Sequence, residues 1–162
     1  MITVSELRNE FLLWAEANGW KVLPADVPQQ IPEQIAELYH PPAEWLDFIG
    51  MFQSCTNAEE TKWFLTCQDF HPRDEGFAWN DFALQSLASA GTDTELKQHI
   101  TAFWNAHLPI FMSADSEYAY YAIHTPTGNI VSGTEPEFEE ISIISENFTS
   151  LIEKILSGEI IL

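Results

Sequence analysis

PIFMSADSEYAYYAIHTPTGNIVS, residues 109–132, decides the fold class. Before Pro109 apolar residues recur at helical intervals, and after it they alternate. Residues 110–112, 118–124 and 129–132 read as three strands rich in aromatic and β-branched side chains. Between the last two, Thr125-Pro126-Thr127-Gly128 places Pro second and Gly fourth, as a type I turn prefers, and so predicts a hairpin. Alternation puts Tyr118 and Tyr120 on one face of their strand and Tyr121 with Ile123 on the other.

On the C-terminal side, Ser145 reads as the cap of a closing helix whose Phe148, Leu151, Ile152, Ile155 and Leu156 form one apolar stripe. On the N-terminal side, Thr92 and Glu95 have capping-box spacing, and Leu96, Ile100, Phe103, Trp104 and His107 line one helical face. Asn80 or Asp81 caps a shorter helix carrying Phe82, Leu84 and Leu87, which stops near Gly91. Residues 68–80 read as a loop and 63–67 as a short strand. Pro41 and Pro42 open a helix with Trp45, Phe48, Ile49 and Phe52 on one side. A helical turn is expected near residues 33–39 and an extended piece at 20–23. The first helix starts at the Thr3/Glu6 capping box, carries Val4, Leu7, Phe11 and Trp14, and stops at Asn18-Gly19. Helices, one strand, helices, a strand meander and a last helix predict an α+β fold: a single domain with a largely antiparallel sheet packed against helices.

The composition agrees with one packed core. The chain has 162 residues, of which 46% are apolar, with eleven Phe and six Trp, ample for a single domain. Residues 1–10 lack the basic flank and apolar centre of a secretory signal, and no apolar run reaches membrane-spanning length. The expectation is therefore a cytoplasmic protein, with Cys55 and Cys67 as reduced thiols. Six Lys and Arg stand against 25 Asp and Glu, a formal charge of −19. Such a field repels phosphate backbones and anionic lipid, which argues against nucleic acid and membrane as partners, and draws in basic proteins.

No catalytic or metal-binding pattern emerges. The five His (His40, His71, His99, His107 and His124) include no i, i+4 pair, Cys55 and Cys67 are not a close ligand pair, and His107 reads as a helix-end residue near the negative pole of the helix dipole. There is no G-x-S-x-G elbow and no glycine-rich phosphate loop. No cofactor or metal is expected. The residues left for an enzymatic alternative are His71, Asp74 and Glu75 in one loop. Between Lys97 and Lys154, however, the chain carries no Lys or Arg while Asp115, Glu117, Glu135, Glu137, Glu139, Glu140 and Glu146 fall in the interval. Asp115, Glu117, Tyr118, Tyr120, Glu135, Glu137, Glu139 and Glu140 are accordingly expected to form a partner-binding surface, with Tyr as anchors and acids setting orientation and encounter rate.

Three segments in this order resemble the SUKH superfamily, a group of immunity domains related to a fungal cell-wall assembly regulator. PAEWLDFIG at 42–50 resembles its early Pro-opened helix. IFMSADSEYAYYAI at 110–123 followed by TGNIV at 127–131 resembles its strand, acidic turn, aromatic strand and Gly-bearing hairpin. SENFTSLIEKIL at 145–156 resembles its closing helix. The resemblance implies a single SUKH-like domain, with residues 1–41 as an N-terminal helical extension and 68–105 as a helical insertion. It also implies an antitoxin-like role: direct binding and neutralisation of a cognate polymorphic toxin inside the producing bacterial cell, with no catalytic residues. The charge argues separately for a basic toxin, such as a nuclease. A regulatory or scaffold module of the same fold is the other expectation.

The charge imbalance has a consequence whatever the partner. Self-repulsion among the acids strains the folded state at low ionic strength, so moderate salt should raise the urea midpoint. A midpoint unchanged or lowered by salt would mean that the acids are arranged differently.

Overall fold

A computed structural model of the chain describes residues 2–71 and 78–162. The elements run α1 (Val4–Ala17), β1 (Lys21–Pro24), α2 (Glu33–Tyr39), α3 (Ala43–Ile49), β2 (Phe52–Thr56), β3 (Lys62–Phe64), a 3₁₀ helix (Cys67–Phe70), α4 (Asp81–Ser89), α5 (Thr94–Ala106), β4 (His107–Ala114), β5 (Tyr118–His124), β6 (Ile130–Thr134), β7 (Ser142–Ser145) and α6 (Phe148–Leu156). Among the described residues seven strands form one sheet in chain order, each antiparallel to its neighbour. This is the expected α+β class.

Local signals account for most boundaries. Thr3 and Glu6 close both bonds of the capping box, Glu6 N–H to Thr3 Oγ1 at 3.1 Å and Thr3 N–H to Glu6 Oε2 at 2.8 Å, and Gly19 leaves α1 at φ +74°, where a Cβ would be strained. Two caps differ from expectation. Asp93, not Thr92, caps α5 by accepting from Leu96 N–H, and Asn147, not Ser145, caps α6 by accepting from Ser150 N–H. Ser145 instead ends β7, a strand the sequence reading lacked.

β2 was also missed, with Phe52 assigned to the helix before it. Phe52 keeps the helical spacing of Phe48 and Ile49 and is buried like them, yet it opens a strand: Pro24 faces Phe52 while Leu23 faces Ser54, so Gln53 is an extra residue in the ladder. A bulge places residues three apart on one face. Phe52 and Cys55 are both buried as a result, with a spacing that imitates a helix. Pro109, taken as a boundary, lies inside the central strand β4, where the register with β5 shifts between Pro109 and Phe111. Bulges are where a sheet tolerates a residue without an N–H.

Helices cover both faces of the sheet. On one, Tyr121 stacks on Phe111, Phe111 meets Phe64, and Phe64 meets Phe11 of α1, with centroids 4.8, 5.0 and 5.6 Å apart. Phe48 of α3 packs on Phe148 of α6 above the same face at 5.1 Å. On the other, Tyr120 meets Trp104 of α5 at 5.0 Å and Phe82 of α4 at 5.9 Å. Residues 1–41 thus supply an edge strand and the fully buried Phe11, and α4 and α5 of the 68–105 segment roof the second face; both belong to one continuous core cluster.

Opposite Tyr120 in β6 stands Gly133. A Cβ there would come within 2.6 to 2.7 Å of the Tyr120 ring and hydroxyl, closer than van der Waals contact allows. Gly133→Ala is therefore expected to cost about 1–3 kcal/mol of stability by overpacking, measured by urea denaturation. A loss of only a few tenths would show that Tyr120 can swing aside freely.

Candidate partner-binding surface

The acidic loop joining β6 to β7 is anchored at Phe138. Its ring is buried and stacks on Phe82 at 4.6 Å with the planes 13° apart, and its carbonyl accepts a hydrogen bond from the Tyr120 hydroxyl. Burial, reinforced by the nearby Glu139 carboxylate, raises the Tyr120 pKa, so the hydroxyl is a donor at any physiological pH.

The four loop glutamates have different roles. Glu139 Oε2 accepts from the Ser86 hydroxyl of α4 at 2.9 Å and from the Trp104 indole N–H of α5 at 3.0 Å, which ties the loop to both helices. Glu135 exchanges two bonds with Tyr118: its N–H donates to the Tyr118 carbonyl, and its Oε1 accepts from the Tyr118 N–H, each at 2.9 Å. Glu137 and Glu140 are exposed and joined by a bond from Glu140 N–H to the Glu137 carbonyl at 3.0 Å. A side-chain hydrogen bond to Glu137, with charge repulsion behind it, lifts the Glu140 carboxyl above the usual range.

Together these residues rim a groove of about 460 Å³ between the loop, α4 and α5. Its floor includes Ala90, Leu96, Ile100 and Phe138, and its described lining contains Glu135, Glu137, Glu139 and Glu140 but no Lys or Arg. Leu96 is 45% exposed. The acidic edge continues to the turn between β4 and β5, where Glu117 precedes the Tyr118 that holds Glu135. Asp115 and Glu117 are both exposed there, and Asp115 lies 3.8 Å from Lys62 Nζ.

Tyr120 must be removed from the expected contact surface. It is 1% exposed, its ring against Gly133 and its hydroxyl spent inside the protein, so it holds the surface without forming it. Tyr118, on the same strand face, is half-buried and stacks on Phe82 at 6.0 Å. Alternation puts both Tyr on one face; where α4 and α5 land decides that this face is interior. The apolar floor was not foreseen, because Leu96, Ile100 and Phe138 meet only through packing between α5 and a loop more than 30 residues further on.

Elsewhere the acids are also numerous: Glu10, Glu44 and Glu153 line a cleft of about 570 Å³, in which Thr149 donates to Glu44 at 2.8 Å. A cavity of about 650 Å³ beside β2 and β3 is lined largely by Ser, Thr and Gln with Cys55, Trp63 and Asp69. Burial pushes the Cys55 thiol up to about 12, far from the thiolate a nucleophile needs, and Asp69 accepts from the Thr66 N–H and hydroxyl in a capping box. Of the residues put forward for an enzymatic alternative, His71 is exposed with Nε2 3.3 Å from the Gln30 carbonyl, and Asp74 and Glu75 lie outside the described residues. No helix among the described residues is long and apolar enough to cross a membrane. No family model matches this chain, and no curated protein or solved structure matches it either.

The split between structural and free acids is measurable. Glu139→Ala strands the Trp104 indole N–H and the Ser86 hydroxyl and should cost about 1–3 kcal/mol. Glu137→Ala should stay within about 0.5 kcal/mol. Equal urea midpoints for the two variants would return Glu139 to the free acids.

Proposed function

We propose that this chain is an immunity-type protein that neutralises a toxin by occupying a basic surface of it, and that the groove rimmed by Glu135, Glu137 and Glu140 receives a Lys- or Arg-bearing segment of that partner. One observation carries this reading. Carboxylates are gathered by specific hydrogen bonds around an apolar floor, with no basic side chain among the described lining residues. Isolated surface acids serve solubility, but acids fixed around exposed leucine offer both of the elements an interface uses: apolar area for affinity and charge for orientation and encounter rate.

The chemistry favours a protein over a nucleic acid, because a charge of −19 opposes any approach of phosphates. Basic nuclease domains, whose phosphate-binding surfaces are cationic, are suited to it. The likeness of residues 42–50, 110–131 and 145–156 to SUKH immunity domains supports the same reading and suggests action in the cytoplasm of the producing cell. A regulatory partner with a basic surface would use the same groove, and the identity of the neighbouring gene product separates the two.

Binding of that gene product, followed by surface-immobilised kinetics, should weaken steeply with salt. The triple variant Glu117→Gln/Glu137→Gln/Glu140→Gln should slow association by on the order of tenfold while dissociation changes less, as expected for rim charges. No complex with the neighbouring product, or a triple variant that associates at the wild-type rate, would overturn the assignment.

A further inference from the structure

Two of the histidines that sequence spacing kept apart are direct cross-strand partners: His107, the first residue of β4, faces His124, the last of β5. Their ring centroids are 4.8 Å apart with the planes tilted by 39°, and Phe103 of α5 stacks on the far side of His107 at 3.9 Å. In an antiparallel ladder, directly opposed side chains stand on the same face.

The Nδ1 partner fixes the tautomer of His107 and permits a matching one at His124. His107 Nδ1 lies 2.7 Å from the Phe103 carbonyl; a carbonyl only accepts, so Nδ1 carries the proton and Nε2 the lone pair. His124 Nδ1 lies 2.7 Å from Thr127 Oγ1, and the Thr127 hydroxyl donates to the His124 carbonyl at 3.4 Å while its oxygen also receives the Asn129 N–H at 3.2 Å. In the tautomer with the proton on Nδ1, His124 donates to Thr127 Oγ1, the Thr127 proton goes to the carbonyl, and His124 too presents a bare Nε2. Among the described residues the only fully buried side-chain nitrogen or oxygen without a partner is Nε of Arg8, so the unbonded Nε2 of His107 meets solvent although the residue as a whole is buried.

Two imidazoles, each held by a hydrogen bond at Nδ1 with Nε2 left for a ligand, are the arrangement in which histidine ligates metal, with the carbonyl and hydroxyl as the outer partners that orient the rings. The spacing fits. With Zn–N bonds of about 2.0–2.1 Å meeting at a tetrahedral angle, ring centroids come to roughly 5 Å apart. We propose that His107 and His124 form a two-imidazole site for a divalent transition-metal ion of the zinc or nickel type, with water in the remaining positions. No group of three or more His, Cys, Asp or Glu able to hold a metal occurs among the described residues, so the bound ion keeps open positions, as a catalytic or bridging ion does and a closed structural one does not. The site is separate from the acidic groove, and the strongly negative protein concentrates cations around it.

The test is a ZnCl2 titration of the full chain, followed by calorimetry and by the imidazole nitrogen resonances. One equivalent should bind saturably, shifting Nε2 of His107 and His124 and of no other histidine. His124→Ala, a substitution at a half-exposed position, should weaken that binding by at least about tenfold, the lower end of what even outer-shell partners contribute. His99→Ala, at an exposed site on α5, should leave it unchanged. If His107→Ala fails to fold, His124→Ala still decides. Absence of a saturable equivalent, or zinc binding that survives His124→Ala and disappears with Glu137→Gln/Glu140→Gln, overturns the site.

Discussion

The Tyr120 hydroxyl donates to the Phe138 carbonyl, and the ring that carries it lies against Gly133, where a side-chain carbon would have no room. Three parts of the molecule meet at this residue. Its strand pairs with β4 and β6, its ring touches α4 and α5 through Phe82 and Trp104, and its hydroxyl holds the acidic loop. The loop could satisfy its carbonyls with water. What fixes it here is that Phe138 has apolar area to bury on Phe82, and the buried carbonyl that follows needs an internal donor. Glu139 completes the attachment through Ser86 and Trp104, Glu135 adds its bonds to Tyr118, and Glu137 and Glu140 project from a loop that is already held.

That hierarchy separates acids which look alike in sequence. Glu135 and Glu139 spend their carboxylates on hydrogen bonds within the fold, and their charge remains as a fixed background. Glu137 and Glu140 meet across a single turn, where a side-chain hydrogen bond and charge repulsion from Glu137 raise the Glu140 carboxyl, and Glu117 extends the same edge. A background charge supplied by well-held groups and an unrelieved charge supplied by exposed ones act together on an approaching cation. Held carboxylates cost little to reorganise, and paired exposed ones gain most from a counter-charge. The exposed Leu96 and the apolar floor add a term that salt does not screen.

The fold was largely legible because its signals are local. The capping box at Thr3 and Glu6, the alternation of β5 and the stripe of α6 each depend on residues a few positions apart, and each stands where the pattern placed it. The hairpin is present as well, but its turn closes one residue earlier than the Thr125–Gly128 frame, on the His124 carbonyl, which accepts from the Thr127 and Gly128 N–H groups. Where the pattern misled, a run of burial across an element boundary or a short edge was responsible. Phe52 continues the spacing of Phe48 and Ile49 although it opens a bulged strand, and β7 is four residues long with exposed Ile143 at its centre. The acids of the candidate surface were legible as a group, since the absence of Lys and Arg from 98 to 153 is a fact of composition. Tyr120 was not, because periodicity gives a residue's face and says nothing about what covers it.

Sequence by itself determined the fold class, the sign of the field and the positions of most elements, since helix period, strand alternation and net charge are properties of neighbouring residues or of their sum. Only the tertiary structure decided which of two Tyr on one strand face is interior, which glutamates are already bonded, that Leu96 and Phe138 share a groove, and that His107 and His124 are neighbours. Each of these is a meeting of residues far apart in the chain, set by sheet register and by where helices settle. Register in turn follows from burial of whole faces at once, which no local window contains.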